Sequence, residues 1–208
     1  MTRQAQESAS RISDPFQFIL DSTDAHRADH HCWAYPFQDG PSLGVLAAAV
    51  KAKRVLELGT ALGYTACWFA HGSEIAIVDT IEKDPEHVRL ARTNITKSGF
   101  ANRITVHSGS FTSVLPVLAP GYDIAFFDGY SPTLNDLKML EQMLCPGGLL
   151  ISANLGLDDD DTEPYIQALC NSNRWLTSFM AEKGQTAVSV RWSQRGKNRL
   201  RLGKDKPP

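Results

Sequence analysis

The segment Arg54-Val-Leu-Glu-Leu-Gly-Thr-Ala-Leu-Gly-Tyr-Thr65 decides the fold of this chain. Its first five residues are mostly apolar, which is typical of a buried strand. Gly59 and Gly63 then permit a sharp turn into a stretch that predicts a helix. A strand that turns through glycines into a helix is the local structure of a nucleotide-cofactor loop, although the same glycines would also serve a tight connection without a ligand.

A second apolar stretch, Ile75-Ala-Ile-Val-Asp-Thr-Ile-Glu82, ends in a carboxylate. It follows the glycines at about twenty residues, where a nucleotide-binding fold places the acidic side chain that accepts hydrogen bonds from ribose hydroxyls. The two segments together predict a bound nucleoside, with Glu82 as the ribose acceptor.

The glycine spacing distinguishes between nucleosides. A dinucleotide fold needs Gly-x-Gly-x-x-Gly, so that backbone N–H groups approach a pyrophosphate. Here Glu57 stands in the place of the first glycine. Its carboxylate would repel a pyrophosphate but accept hydrogen bonds from an ammonium group. The pattern therefore favours S-adenosylmethionine over NAD.

The composition indicates one ordinary domain. The chain has 208 residues, a net charge of −2 and four scattered cysteines without a Cys-x-x-Cys pair, so neither a zinc knuckle nor a disulfide framework is expected. Apolar runs fall short of the ~20 residues that span a bilayer, and the first residues lack the pattern of a secretion signal. We therefore expect a soluble, cytoplasmic protein without a membrane partner.

The alternation of apolar strands and amphipathic helices predicts an α/β fold, a Rossmann-like doubly wound, mostly parallel seven-stranded sheet with helices on both faces. Central strands are predicted at 54–58, 75–80, 104–108, 122–127 and 149–153, and a terminal hairpin at 175–182 and 186–192. Helices are predicted at 42–51, 64–71, 85–98, 111–118, 134–143 and 163–172, with a turn at 145–148. The chain divides into an N-terminal arm (1–40), a core (41–192) and a basic tail (193–208).

These motifs resemble those of class I S-adenosylmethionine-dependent methyltransferases, and within them the O-methyltransferases of the catechol and caffeoyl-CoA type. The segment after Arg54 is similar to the family's cofactor loop, Thr80-Ile-Glu-Lys-Asp-Pro85 to its ribose-binding turn, and Tyr122-Asp-Ile-Ala-Phe-Phe-Asp128 to its fourth strand. Leu144-Cys-Pro-Gly-Gly-Leu-Leu-Ile151 is similar to the approach to its fifth strand. The resemblance covers about 36–192. It implies a homodimer that methylates an oxygen of a small, aromatic or hydroxylated acceptor.

The resemblance also implies where S-adenosylmethionine binds. Backbone around Gly59 and Gly63 would lie against its methionine part, with Glu57 supporting the turn and the Thr65 hydroxyl near the carboxylate. Tyr130 would stack on the adenine. The full predicted set is Glu57, Gly59, Thr60, Gly63, Thr65, Glu82, Lys83, Gly109, Ser110, Phe111, Asp128 and Tyr130. Ser110 would serve equally as a helix cap, and Phe111 and Tyr130 as ordinary core aromatics.

The metal site of the family is incomplete in this sequence. Metal-dependent members use two aspartates and an asparagine, with a lysine three residues after the first aspartate. Asp128 and Asn154 match the first and last ligands, but Ala153 and Ser131 replace the middle aspartate and the lysine. Because hard cations prefer several oxygen ligands, we expect weak Mg²⁺ binding and no metal requirement. The acidic run 158–161 is either a substitute ligand or a solvated turn.

Without a metal, a protein group must take the proton from the acceptor hydroxyl. Histidine has a suitable pKa for this transfer. The candidates are His26, His30, His31 and Asp128, of which Asp128, His31 and His30 are our predicted catalytic residues. The histidines precede Trp33, Tyr35 and Phe37, where the family places its substrate lid, although a surface cluster on a mobile arm is the alternative. Asp128 would alternatively orient the acceptor or cap a turn.

Two other functions stay open. The basic tail permits a tRNA-modifying methyltransferase, but a short basic tail is more commonly a solvated end, so we expect no nucleic-acid partner. Ala153 and Ser131 also suit a cofactor-binding protein that has lost catalysis.

Overall fold

The computed structural model describes residues 13–157, 160–181 and 184–192. These residues form a seven-stranded sheet in the order β3-β2-β1-β4-β5-β7-β6. The strands are β1 (Arg54–Leu58), β2 (Ile77–Glu82), β3 (Ile104–Ser108), β4 (Tyr122–Phe127), β5 (Leu144–Ser152), β6 (Trp175–Ala181) and β7 (Thr186–Arg191). Strands β1 to β5 are parallel, and β7 is antiparallel to both β5 and β6. The predicted doubly wound, mostly parallel sheet is confirmed.

Helices cover both faces of the sheet. They are α1 (Gln17–His30), α2 (Gly40–Val50), α3 (Tyr64–Gly72), α4 (Pro85–Lys97), α5 (Phe111–Val114), α6 (Leu134–Met143) and α7 (Thr162–Leu169). Helices α1 to α4 pack on one face with Val55 and Ile124, and α5 to α7 pack on the other with Leu56 and Phe127. This two-sided burial explains why the central strands are apolar along their length. Within the described ranges, no helix is long and apolar enough to cross a membrane.

Local capping sets the start of two predicted helices. The Asp84 side chain accepts hydrogen bonds from the backbone N–H groups of Glu86 and His87, and Pro85 occupies the first turn of α4. Thr133 and Asp136 form a capping box at the start of α6. Both helices therefore begin where the sequence predicts.

Three of the predicted boundaries differ from the structure because of a pairing or backbone constraint. Strand β2 continues to Glu82, since Ile81 pairs with Leu58 of β1 and Glu82 pairs with Ser108 of β3. Residues 145–148 lie within β5, where the register against β4 shifts, so they form a bulge rather than a free turn. Helix α5 ends at Val114 and continues as a 3₁₀ turn over Leu115–Val117. Pro116 has no N–H to extend the α-helix.

The described part of the N-terminal arm packs against the core. Phe16 is buried and makes edge-on ring contacts with Trp68, His71 and Phe100. The Tyr64 hydroxyl donates a hydrogen bond to Asp14 at 2.6 Å. These contacts fix α1 against α3 and α4. The basic tail 193–208 and two residues of the acidic run, 158–159, lie outside the described residues.

Candidate active site

The carboxyl ends of β1, β2 and β4 lie side by side at one edge of the sheet. Strand β1 lies between β2 and β4. On one side of it the order continues through β2 to β3, and on the other side it continues through β4 to β5. A parallel sheet leaves a crevice at such a switch point, and ligands of α/β proteins bind there. The glycine loop follows β1, Glu82 ends β2, and Asp128 comes directly after β4. The fold therefore brings the main predicted cofactor residues to one edge.

The glycine loop passes close to the end of β4. Gly59 and Gly63 have φ values of +101° and +93°, a region in which only glycine is unstrained. A Cβ atom on Gly59 would overlap the carbonyl oxygen of Asp128. The N–H of Gly59 donates to the Ile81 carbonyl at 3.1 Å, and the N–H of Asp128 donates to the Leu58 carbonyl at 2.8 Å. The loop backbone thus connects the ends of three strands.

Glu82 is a nearly buried carboxylate attached to this loop. One oxygen accepts a hydrogen bond from the Ala61 N–H at 2.9 Å, and the other accepts from the Asp84 N–H at 2.9 Å. Burial raises the pKa of Glu82, but the interaction with His87 and these two backbone N–H groups outweigh it, and the net pKa is lowered. A carboxylate has about four acceptor positions, so Glu82 stays ionised with capacity for further donors.

Glu57 holds the loop from inside the protein. It is fully buried, and its carboxylate accepts hydrogen bonds from the Thr65 and Thr80 hydroxyls at 2.5 Å each. The Thr60 hydroxyl lies 2.5 Å from that of Thr80. Burial raises the pKa of Glu57 to about 7, although the two hydroxyls act to lower it. These contacts suit the predicted supporting role of Glu57.

Thr65, predicted to lie near the carboxylate of the cofactor, has a partner inside the protein. Its hydroxyl donates to Glu57 and is buried with it. The reason is tertiary: the first turn of α3 packs directly over the end of β1.

The residues after β3 lie next to the strand that carries Glu82. The Gly109 N–H donates to the Glu82 carbonyl at 2.9 Å. Ser110 caps α5 through the Ser113 N–H, and the Phe111 ring packs edge-on against Phe127 at 6.0 Å. Ser110 and Phe111 thus have structural roles of their own at the predicted adenine position. Lys83, also in the predicted set, is exposed.

Asp128 and Asn154 meet as the sequence predicts. The Asn154 Nδ2 donates to Asp128 Oδ1 at 3.2 Å and to the Gly129 carbonyl at 2.6 Å. Because both neighbours are acceptors, the nitrogen of the amide rather than its oxygen must face Asp128. Ala153 is fully buried and offers no ligand atom. This donor set does not fit Mg²⁺, which needs near-octahedral oxygen ligands.

Ser131, in the place of the family's lysine, has a structural partner. Its hydroxyl lies 2.5 Å from that of Thr162 at the start of α7. The side chain therefore links the segment after β4 to α7.

Trp33, Tyr35 and Tyr130 form an exposed aromatic cluster, and Tyr130 lies two residues after Asp128 in the chain. Trp33 contacts Tyr35 and Tyr130, each at a ring-centroid distance of 6.3 Å. Trp33 and Tyr130 are 80% and 67% exposed, which is unusual for rings of this size. Tyr130 thus contacts the arm. Phe37, expected in the lid, is instead buried against Phe126 at 5.4 Å and belongs to the core.

His26 of the arm lies against His87, whose ring faces Glu82. His26 stacks on His30 at 4.5 Å and makes an edge-on contact with His87 at 5.0 Å. His31 is exposed and ends α1 in a left-handed conformation. The sequence analysis did not predict His87 as a site residue. The one indication of it in the sequence is its position in the first turn of the capped helix that follows Glu82.

Comparison with known proteins identifies the family of this chain. The methyltransferase domain family matches residues 56–154, which contain Gly59, Gly63, Glu82, Asp128 and Asn154. A catechol O-methyltransferase of Niastella koreensis is 30% identical over 148 residues, which are 66% of this chain and 67% of that protein. One of Mycobacterium tuberculosis is 41% identical over 93 residues, 44% of this chain and 42% of that protein.

A tRNA1(Val) (adenine(37)-N6)-methyltransferase of Parabacteroides distasonis is 38% identical over 157 residues, 76% of this chain but only 60% of that protein. Among solved structures, cofactor-bound Rv0187 from MTB has a TM-score of 0.76 and 26% identity, over 90% of this chain and 94% of that chain. The sheet order, the ordered motifs and the two catechol O-methyltransferase matches converge. The chain belongs to the class I S-adenosylmethionine-dependent methyltransferases, in the family of the catechol-type O-methyltransferases.

Proposed function

We propose that this protein transfers a methyl group from S-adenosylmethionine to an oxygen of a small aromatic acceptor. The observation that carries the proposal is the hydrogen bond from the Ala61 N–H to Glu82 at 2.9 Å. It joins the glycine loop and a buried carboxylate into one cradle at the switch point of the sheet, where a nucleoside fits.

The chain's own residues would hold the cofactor as follows. Gly59 and Gly63 would allow its methionine part to approach the loop backbone, and the lack of a side chain on Gly59 keeps that loop packed against Asp128. Glu82 would accept the ribose hydroxyls in charge-assisted hydrogen bonds. Glu57 keeps the loop in place through Thr65 and Thr80. Lys83, Gly109, Ser110 and Phe111 would border the adenosine.

The acceptor would bind between the aromatic cluster and Asp128. The exposed rings of Trp33 and Tyr130 offer flat apolar surfaces for an aromatic ring. S-adenosylmethionine supplies an electrophilic methyl group on a sulfonium, and alignment of the acceptor oxygen with that group is a large part of catalysis. We assign to Asp128 the orientation of the acceptor hydroxyl and the removal of its proton. Asn154, bound to Asp128 Oδ1, would fix the position of the carboxylate.

His30 and His31 remain alternative bases. His31 is exposed, and the ring of His30 stacks on His26. We rank both below Asp128, which lies at the carboxyl end of β4 at the switch point of the sheet, and the His31→Ala variant tests this order. We propose no role for Mg²⁺, because Ala153 and the amide nitrogen of Asn154 leave too few oxygen ligands.

The test is transfer of a labelled methyl group from S-adenosylmethionine to a panel of catechols, phenols and hydroxylated acids. Each acceptor is tested with Mg²⁺ and with EDTA, on the wild type, Asp128→Ala and His31→Ala. We expect turnover of an aromatic hydroxyl compound that survives EDTA and is lost in Asp128→Ala. Cofactor binding without turnover of any acceptor would instead support the lost-catalysis alternative.

The tRNA-modifying alternative is not favoured. The net charge of −2 does not suit a polyphosphate partner. Methylation of bulk tRNA, with binding that weakens steeply as salt increases, would overturn this choice.

We further propose that the protein acts in the cytoplasm as a homodimer, with residues 41–192 as the catalytic core. The cysteines are all free thiols, which suits a reducing compartment. The dimer rests on the family alone, and light scattering on the purified chain measures it directly.

A further inference from the structure

A cluster of two histidines and a cysteine lies next to the cofactor cradle but outside the residues assigned to methyl transfer. Candidate ligand atoms of His26, Cys32 and His87 all lie within 4.8 Å of one another. In the part of the chain that the structure describes, it is the one group of three or more His, Cys, Asp or Glu side chains that is close enough to share a cation.

His87 carries a buried nitrogen without a hydrogen-bond partner. Its Nδ1 faces the Glu82 carboxylate, 3.8 Å from Oε1. Its Nε2 is buried and makes no hydrogen bond of normal geometry to the described residues, although the Cys32 side chain lies close enough to interact with the His87 ring. His87 as a whole is only 8% exposed. Leaving a polar atom unsatisfied in the interior costs about 1–3 kcal/mol. Such an atom in a native protein calls for a physical reason, and a cation on Nε2 supplies one.

The surroundings of His87 are those of a metal ligand. Metal-binding histidines usually direct their second nitrogen toward a carboxylate, which fixes the tautomer and the ring. Glu82 takes that position, and it is itself held by the N–H groups of Ala61 and Asp84. On the opposite side of the cluster, the His30 ring stacks on His26 and restricts its rotation.

We propose that His26, Cys32 and His87 bind a zinc-class divalent cation, with water as the fourth ligand. A thiolate with two imidazoles suits Zn²⁺ and not Mg²⁺, which prefers oxygen. In a tetrahedral zinc site the ligand atoms lie about 3.3–3.6 Å apart, so the three side chains would close by about 1 Å. The Cys32 thiol loses its proton to solvent as the metal–sulfur bond forms.

The site would connect three segments of the fold. His26 lies on α1, Cys32 lies in the segment after it, and His87 lies in the first turn of α4. A bound cation would therefore fasten the N-terminal arm to the helix that follows Glu82. This role is structural and does not depend on the proposed methyl transfer.

The test uses the full chain, stripped of metal with EDTA and dialysed. Titration with Co²⁺ should give one equivalent of binding, visible d–d bands of a tetrahedral site and a near-ultraviolet thiolate-to-cobalt band, and Zn²⁺ should displace it. Cys32→Ser and His87→Gln should each weaken Zn²⁺ binding at least about 100-fold. The matched control is Cys170→Ser, which alters an exposed cysteine outside the cluster.

A second measurement needs no variant that might fail to fold. Zn²⁺ should protect Cys32 from iodoacetamide in the wild type and leave the reaction of Cys170 unchanged, as mapped by mass spectrometry. Three outcomes would overturn the proposal: no stoichiometric binding, a cobalt spectrum without the thiolate band, or equal alkylation of Cys32 with and without Zn²⁺.

Discussion

The Glu82 carboxylate and the Ala61 N–H form a 2.9 Å hydrogen bond that joins the end of β2 to the loop after β1. Ala61 has a φ of +44°, which a residue with a Cβ atom seldom adopts. Glu82 therefore stabilises the strained turn, and we propose that it also offers acceptors to the cofactor.

Glu82→Gln should weaken S-adenosylmethionine binding by about 10- to 100-fold, because hydrogen bonds to a charged group contribute about 1.5–3 kcal/mol. Calorimetric titration of wild type and variant measures the Kd. Glu74→Gln, an exposed change outside the predicted site, is the control. An unchanged Kd in Glu82→Gln would remove Glu82 from the cofactor site.

Gly59→Ala should destabilise the protein and abolish cofactor binding. The substitution places a Cβ atom on the Asp128 carbonyl oxygen and also occupies a positive φ. Gly99→Ala is a matched control, since Gly99 has a φ of +80° but no atom within 4 Å of the added Cβ. Urea unfolding should show a loss of about 1–2 kcal/mol for the control and a larger loss for Gly59→Ala. Equal losses of unfolding free energy in Gly59→Ala and Gly99→Ala would mean that the glycine loop moves to accommodate the added Cβ atom near Asp128.

Glu57 should make the protein less stable as pH rises from about 4.5 to about 7. Burial raises the pKa of this carboxyl from 4.5 to about 7. The folded state holds the proton more tightly than the unfolded chain, so the stabilisation is complete below pH 4.5 and is lost as pH passes the folded pKa. Relative to Glu57→Gln, wild type should lose roughly 2–3 kcal/mol of unfolding free energy between pH 5 and pH 8. A difference in unfolding free energy between wild type and Glu57→Gln that stays constant with pH would contradict this prediction. Glu74→Gln again serves as the control.

Asp128→Asn should lower kcat by about 100-fold or more, the usual size of a general-base contribution. Wild-type turnover should persist when EDTA replaces Mg²⁺. Because EDTA would also strip the His26–Cys32–His87 cluster, the comparison is repeated on Cys32→Ser. A loss of turnover in EDTA that Mg²⁺ restores in both chains would show that Asp128 and Asn154 hold a metal after all.

Trp33→Ala should raise KM for an aromatic acceptor by about 2- to 10-fold, the range expected for one lost aromatic contact. The Kd for S-adenosylmethionine should not change, because Trp33 contacts Tyr130 and Tyr35 rather than the glycine loop. Phe179→Ala, another exposed aromatic but on the edge strand β6, should leave KM unaltered. If both variants give the wild-type KM, the aromatic cluster is not the acceptor site.

Local patterns predicted most of the sheet and the position of Glu82. Strands β1, β3 and β4 have the predicted bounds. Residues buried on both faces make β1 and β4 largely apolar, and β3 at the sheet edge alternates between buried and exposed positions at its start. The start of α4 was predictable because Asp84 and Pro85 form a helix cap from adjacent residues. The bulge at 145–148 escaped prediction, because it depends on how β5 pairs with β4 rather than on its own residues.

Sequence alone thus determined the fold class, the glycine loop and the acidic residue that ends β2, since each follows from periodicity or from backbone chemistry within one short segment. Only the tertiary structure decided that Thr65 binds Glu57, that Phe37 is buried and that Tyr130 contacts Trp33. The same holds for the convergence of His26, Cys32 and His87, which the scattered cysteines did not predict. These contacts join residues from separate elements, and their distances are set by how α1 and the segment after it pack on the core.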